Sequence, residues 1–201
     1  MRPVSVSVRS AGPADLDAVT ATLWAAFRDD PTWRWAFPDH EKLEVLWRFF
    51  ISGALRYPWV RIAGDYAAAS VWIPPGETEL AAEDEERVGA LLEDLIGPRA
   101  GAVMELLDRF EAAHPRERPH YYLSLLGTHP DHRGHGVGMA LLAEDLRLID
   151  AEGLPAYLES SNPVNDRRYE RLGFVRVGEF ETPDGAHTLA TMWREGRAAD
   201  S

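Results

Sequence analysis

The ten residues His129-Pro-Asp-His-Arg-Gly-His-Gly-Val-Gly138 constrain this chain more than any other stretch, because of what flanks them. Upstream, Tyr121-Tyr-Leu-Ser-Leu-Leu-Gly-Thr128 is an apolar run of strand length. Downstream, apolar residues recur at helical spacing at Met139, Leu142, Leu146 and Ile149. The spacing predicts strand, glycine loop and helix. Gly134, Gly136 and Gly138 permit positive φ and close backbone approach, so consecutive N–H groups can converge on an anion. A helix opening near Gly136 aims its positive end at the same point. Tight packing between strand and helix is the other reason glycines gather at such a place. No Gly-Lys-Ser/Thr ends the run, which excludes a P-loop, and the singly alternating glycines differ from the Gly-x-Gly-x-x-Gly of dinucleotide-binding folds.

A second motif lies downstream. Leu154 to Phe174 reads as a short strand, a turn and a short helix, with Asn165, Tyr169, Gly173 and Phe174 in a fixed spacing. Together with Arg133-x-x-Gly136-x-Gly138, this resembles the GNAT acetyltransferase superfamily. The likeness is tightest from Tyr121 to Phe174. Within the superfamily it points to the puromycin N-acetyltransferase group, through Val71-Trp-Ile-Pro-Pro-Gly76, Pro130-Asp-His, Pro155-Ala-Tyr-Leu-Glu-Ser-Ser and Tyr169-Glu-Arg-Leu-Gly-Phe. The resemblance implies an α/β (α+β) fold over a single domain, residues 1–201, with a mixed, mostly antiparallel sheet, a splayed strand pair and flanking helices. It also implies acetyl-CoA as cosubstrate. By the same resemblance Leu126, Gly127 and Thr128 offer unpaired backbone groups to the pantetheine arm and the thioester oxygen. Arg133, Gly134, His135, Gly136, Val137 and Gly138 would take the pyrophosphate, His135 at a variable position of the motif, and Asn165 would touch the coenzyme.

Acetyl transfer to an amine needs a neutral amine, a stabilised oxyanion and a proton for the departing thiolate. Tyr169 stands where the family has its tyrosine, and a phenol stays protonated at neutral pH, so it is the candidate general acid. Glu159, ending the strand after the coenzyme helix, is the candidate base, directly or through water. His120, His129 and His132 could titrate in the same range but sit beside prolines or in a loop, where surface positions are the rule. Asn162 before Pro163 reads as a helix cap. No residues have metal-ligand spacing, so no metal is expected.

The formal charge is −12, with an acidic run through Glu77, Glu79, Glu83, Asp84, Glu85 and Glu86. Such a surface opposes nucleic acid and anionic membranes, and the run itself reads as a solvated helix face. Cysteine is absent, so transfer cannot pass through an acetyl-cysteine. Neither a signal peptide nor a membrane span is visible, which makes the cytoplasm the default. Trp24, Trp33, Trp35, Trp47, Trp59 and Trp72 crowd the first 72 residues. Trp47 and Trp72 fit inward periodicities, while Trp33, Trp35 and Phe37 alternate in a loop-like stretch and are the candidate acceptor contacts. The expected partner is a small-molecule primary amine, an aminonucleoside or another antibiotic-like amine among the candidates, acting on a monomer or homodimer. The alternatives are a protein lysine or N-terminal acetyltransferase and a non-catalytic acetyl-CoA sensor, the latter disfavoured by Tyr169 and Glu159.

The remaining elements read as a strand over Val4–Arg9 and a helix from Pro13 carrying Leu16, Val19, Leu23 and Phe27. A helix over Asp39–Leu55 and strands near Val60–Ala63 and Ala67–Ile73 follow. Helices over Glu79–Leu95 and Pro98–His114 come next, and the chain closes with strands at Val175–Glu181 and His187–Arg194 joined at Pro183-Asp-Gly185.

Overall fold

The computed structural model describes residues 6–197. Seven strands, β1 (Val8–Ser10), β2 (Val60–Ala63), β3 (Ala68–Ile73), β4 (Tyr121–Thr128), β5 (Ala156–Ser160), β6 (Val175–Glu181) and β7 (Thr188–Arg194), form one sheet in the order β1-β2-β3-β4-β5-β7-β6. Only β4 and β5 run parallel. The helices are α1 (Leu16–Ala26), α2 (Pro31–Ala36), α3 (His40–Ala54), α4 (Ala82–Glu85), α5 (Val88–Ile96), α6 (Ala100–Ala113), α7 (Val137–Ala151) and α8 (Asp166–Glu170). Val4 and Ser5, part of the first expected strand, lie outside the described residues.

The sheet separates two apolar layers. On one face α1, α3, α5 and α6 bury Val19, Leu23, Leu43, Leu46, Trp47, Leu92 and Val103 against Val60, Ile62, Val71 and Ile73. On the other, α7 packs Leu142, Leu146 and Ile149 against Trp72, Leu123, Leu158 and Met192. Trp47 and Trp72 are both core, as their periodicity indicates. The α7 face also buries a charge. Asp145 accepts from Arg61 Nε at 2.9 Å, Ser70 Oγ at 2.6 Å and Trp72 Nε1 at 3.0 Å, so a carboxylate that would be costly alone is fully partnered and ties α7 to β2 and β3.

Two expectations fail for local reasons. The stretch Trp33–Phe37 is not a loop. Pro31 occupies the first turn of α2, and Asp30 caps that helix by accepting from the backbone of Thr32 and Trp33. The helix expected from Glu79 starts only at Ala82 and breaks between Glu85 and Val88. Residues 74–80 instead form a strap laid against α3.

The central feature is a divergence. β4 and β5 pair at Tyr121–Ala156, Tyr122–Tyr157 and Leu123–Leu158, and no further. At that point the β3–β4 register jumps, Val71 facing Leu125 and Trp72 facing Leu123, which leaves Ser124 as an extra residue. A bulge inverts the alternation and bends the strand. Tyr121 and Leu123 therefore point to the α7 face while Leu125 joins the opposite core. Beyond Ser124, β4 keeps β3 on one side and leaves its other edge open.

Candidate active site

The glycine loop fulfils its geometric requirements. Gly134 and Gly136 take φ of 80° and 76°, the second as the left-handed residue opening α7. No side chain caps that helix, so its first N–H groups stay available to an anion. Gly138 has ordinary φ but no room, because a Cβ there would collide with Thr128 Oγ1. The missing side chain lets the first turn of α7 sit directly on the end of β4. Residues 131–136 are exposed, and Val137 and Gly138 are buried. The Arg133 guanidinium donates to the Ala26 carbonyl at 2.7 Å and lies 3.6 Å from Asp29, tying the loop to the end of α1. An uncapped helix start, two left-handed glycines and an open strand edge fit a pyrophosphate with an extended arm. Leu126, Gly127 and Thr128 lie along that edge.

Where β4 and β5 part, a cavity of about 50 Å³ opens, lined by Leu126, Glu159, Asn165 and Tyr169 together with Asp30, Trp33, Phe110, Ser124 and Ser161. Glu159 and Tyr169, distant in sequence character and on different elements, thus face one space. Glu159 Oε1 is buried without a hydrogen-bond partner. Burial pushes its carboxyl up to about 8; the Tyr157 and Tyr122 hydroxyls oppose the rise and the charge of Glu79 adds to it. Tyr169 rests edge-on against Phe174, with ring centroids 6.1 Å apart. Burial, with the charges of Asp30 and Asp166, raises its phenol above the ordinary tyrosine value, so it carries its proton throughout the neutral range. Asn165 Oδ1 accepts from Arg168 at 2.9 Å, and Asn162 caps the turn ahead of α8 by accepting from Val164 N at 3.2 Å.

Asp30 escaped the sequence reading, although Asp-Pro is a recognisable cap signal. Its Oδ1 holds the start of α2, and its Oδ2 accepts from Ser161 Oγ at 2.7 Å, so one buried carboxylate joins α2 to the turn after β5. That contact places Trp33 at the cavity.

A larger cavity of about 980 Å³ adjoins the first, and Trp33, Phe110 and Ser124 line both. The acidic run is not a uniformly solvated helix face, because Glu79 turns into this cavity and accepts from Ser124 Oγ at 2.6 Å. Burial pushes its carboxyl up to about 7, against the pull of Ser124 and Arg56. The strap is fixed by Arg56, which donates to the carbonyls of Gly53, Thr78, Glu79 and Leu80. His120 is not a surface residue either, being 8% exposed. Its Nδ1 must donate to the Arg118 carbonyl at 2.7 Å, so its Nε2 accepts from His114 Nε2 at 3.1 Å. Burial, joined by His120, holds His114 down at about 4, so the ring is neutral at physiological pH. Of the aromatic trio, Trp33 lines both cavities and packs on Trp47 and Phe110. Phe37 is 1% exposed in the core, and Trp35 is turned to Asp184, donating from Nε1 at 2.6 Å.

Comparison with known proteins agrees with this geometry. The model of the acetyltransferase (GNAT) family matches residues 24–174. A Schizosaccharomyces pombe protein described as an uncharacterized N-acetyltransferase is 27% identical over 187 residues, spanning 80% of this chain and 71% of its own. A Corynebacterium glutamicum structure, described as histone acetyltransferase HPA2 and related acetyltransferase, superposes with a TM-score of 0.70 at 25% identity, covering 98% of this chain and 99% of that one. The polyamine N-acetyltransferase of Drosophila melanogaster, which forms N-acetylagmatine, shares the fold with a TM-score of 0.65 at 16% identity, over 95% of this chain and all of that one. With a family match across three quarters of its length, a bulged and splayed β4–β5 pair and an uncapped glycine-rich helix start, this chain belongs to the GNAT family and is an acetyl-CoA-dependent N-acetyltransferase.

Proposed function

We propose that this chain transfers the acetyl group directly to the primary amine of a small molecule, with Glu159 as the proton acceptor and Tyr169 as the proton donor. The observation that carries the reading is the small cavity at the strand divergence, where an unpartnered buried carboxylate oxygen and a protonated phenol line one space. Acetyl-CoA supplies the activated acyl group as a thioester. The loop N–H groups from Arg133 to Gly138 hold its pyrophosphate, and the open edge of β4 at Leu126–Thr128 orients the arm. Asn165 adds a contact beside them. Glu159, as carboxylate, takes a proton from the incoming ammonium, and Tyr169 Oη gives one to the sulfur as it departs. Trp33, at the junction of the two cavities, fixes the acceptor between them. The small cavity at the strand divergence, about 50 Å³, admits an amine on a slender arm, and the larger cavity beside it has room for the rest of a small molecule. The likeness to puromycin N-acetyltransferases adds an aminonucleoside to the candidates, and the structural neighbour that acetylates agmatine adds a polyamine.

The test is mass-spectrometric detection of acetyl transfer from acetyl-CoA to a panel comprising puromycin, an aminoglycoside, polyamines, amino acids and a lysine peptide. Acetylation of a small amine supports the proposal. Acetylation of the lysine peptide alone, or coenzyme binding with no transfer to any amine, overturns it.

A further inference from the structure

The larger cavity has an electrostatic character that the transfer reaction does not require. Six carboxylates line it against two arginines, and both arginines are committed, Arg116 to Glu111 and Arg118 to Glu195. Glu79 differs from the other acids in being placed. Ser124 Oγ fixes its Oε1 at 2.6 Å, and Ser124 is the bulge residue that lines both cavities. The strap carrying Glu79 lies so close to α3 that a Cβ on Gly53 would meet the Glu79 carbonyl at 2.6 Å. Arg56 donates to the carbonyls of Gly53 in α3 and of Glu79 and Leu80 in the strap, and reaches the Glu79 carboxylate only through its longer-range charge. Tyr122 stands within the field of both Glu79 and Glu159, and Glu159 keeps a buried Oε1 with no partner. Two fixed carboxylates therefore flank one path from the acceptor cavity to the strand divergence. A reacting ammonium satisfies the inner one and leaves the outer one with the Ser124 hydrogen bond and the more distant charge of Arg56 but no ion-pair partner, which is costly for a charge withdrawn from water.

We propose that Glu79, held by Ser124, is the binding site for a second cationic group of the acceptor, so that the substrate is a short dicationic amine whose far charge rests on Glu79 while its near nitrogen faces Glu159. This rests on the small-molecule amine reading above and sets diamines and guanidino amines ahead of a monocationic aminonucleoside. The cavity's net negative lining concentrates such a ligand before it binds.

The experiment compares kcat/KM for butylamine, aminobutanol and diaminobutane in the wild-type protein and in Glu79→Gln, which keeps the hydrogen bond to Ser124 and removes the charge. A charge-assisted contact to a half-buried carboxylate predicts a preference for the diamine of about tenfold to a hundredfold in the wild type, carried mainly by KM, and its collapse toward unity in the variant. Aminobutanol keeps the length and a hydrogen-bonding end without the second charge, so the wild-type comparison is decisive even where the variant folds poorly. Equal use of all three amines by the wild type overturns the cation site and leaves the amine acetyltransferase reading standing. A diamine preference that survives in folded Glu79→Gln overturns the assignment to Glu79. No turnover of any small amine overturns both readings together.

Discussion

In the proposed reaction Tyr169 and Glu159 divide the proton work because one cavity treats their charges alike. Burial disfavours the ionised form of each, leaving Tyr169 a reliable donor and Glu159 a carboxylic acid until the pH approaches its shifted value. Tyr169→Phe keeps the ring against Phe174 and removes the hydroxyl that supplies the proton, so kcat falls by about 10²-fold to 10⁴-fold. Acetyl-CoA affinity, read by calorimetry, stays at the wild-type level. For Glu159 the activity climbs with pH as the carboxylate forms near 8, and Glu159→Gln flattens that limb along with a large loss of kcat. The same shift has a stability consequence with a definite sign. A carboxyl whose folded value, about 8, exceeds its ordinary 4.5 stabilises the fold fully below 4.5, and that contribution is lost as pH rises through 8. Thermal melts of Glu159→Gln should therefore differ least from wild type below pH 4.5 and gain on it progressively as pH rises to 8, whereas a Glu159 without a buried carboxyl would give parallel curves.

At the level of elements, the strand–loop–helix unit of β4 and α7 was legible because its requirements are local. Glycines, a strand-length apolar run and a helical apolar repeat are all written within thirty residues. The bulge at Ser124 was not legible, since Ser124 looks like any polar residue inside Tyr121–Thr128 and only the β3 register shows it as extra. Nor was the strap of residues 74–80, because helix propensity favoured Glu79 while Arg56 and the missing side chain of Gly53 decide its path from a distant helix. Asp30 is readable in principle, because Asp-Pro serves equally as a cap and first helical residue or as a break, and only the structure shows Pro31 opening α2. Gly138 offers a test of the close packing that positions the helix start. Gly138→Ala sets a methyl against Thr128 Oγ1, so either that side chain rotates or the first turn of α7 gives way, and displacement of the helix costs about 1–3 kcal/mol in stability by denaturant unfolding. The displaced N–H groups should raise the KM for acetyl-CoA by more than that for the amine. Equal effects on both would place the glycine's role in general stability.

Across the whole molecule, charge sets how the two substrates arrive. The chain carries a formal −12, and six of its carboxylates line the larger cavity proposed for the acceptor, while the proposed coenzyme site lies at the uncapped start of α7, at the far end of β4. A cationic amine is drawn by the net field and focused by the cavity, and the polyanionic coenzyme is repelled by the same field and held by local donors. Salt screens over about 8–10 Å at physiological strength, so it weakens both long-range effects and spares the enclosed contacts. Raising ionic strength from low to near 0.3 M should then lower kcat/KM for a cationic amine by a few-fold while leaving kcat nearly fixed, and should leave or improve kcat/KM for acetyl-CoA. The opposite signs matter more than the sizes. A loss of kcat/KM for both substrates would mean that the coenzyme depends on exposed cations such as Arg133, and that the neutral N–H groups of the loop contribute less than their geometry suggests.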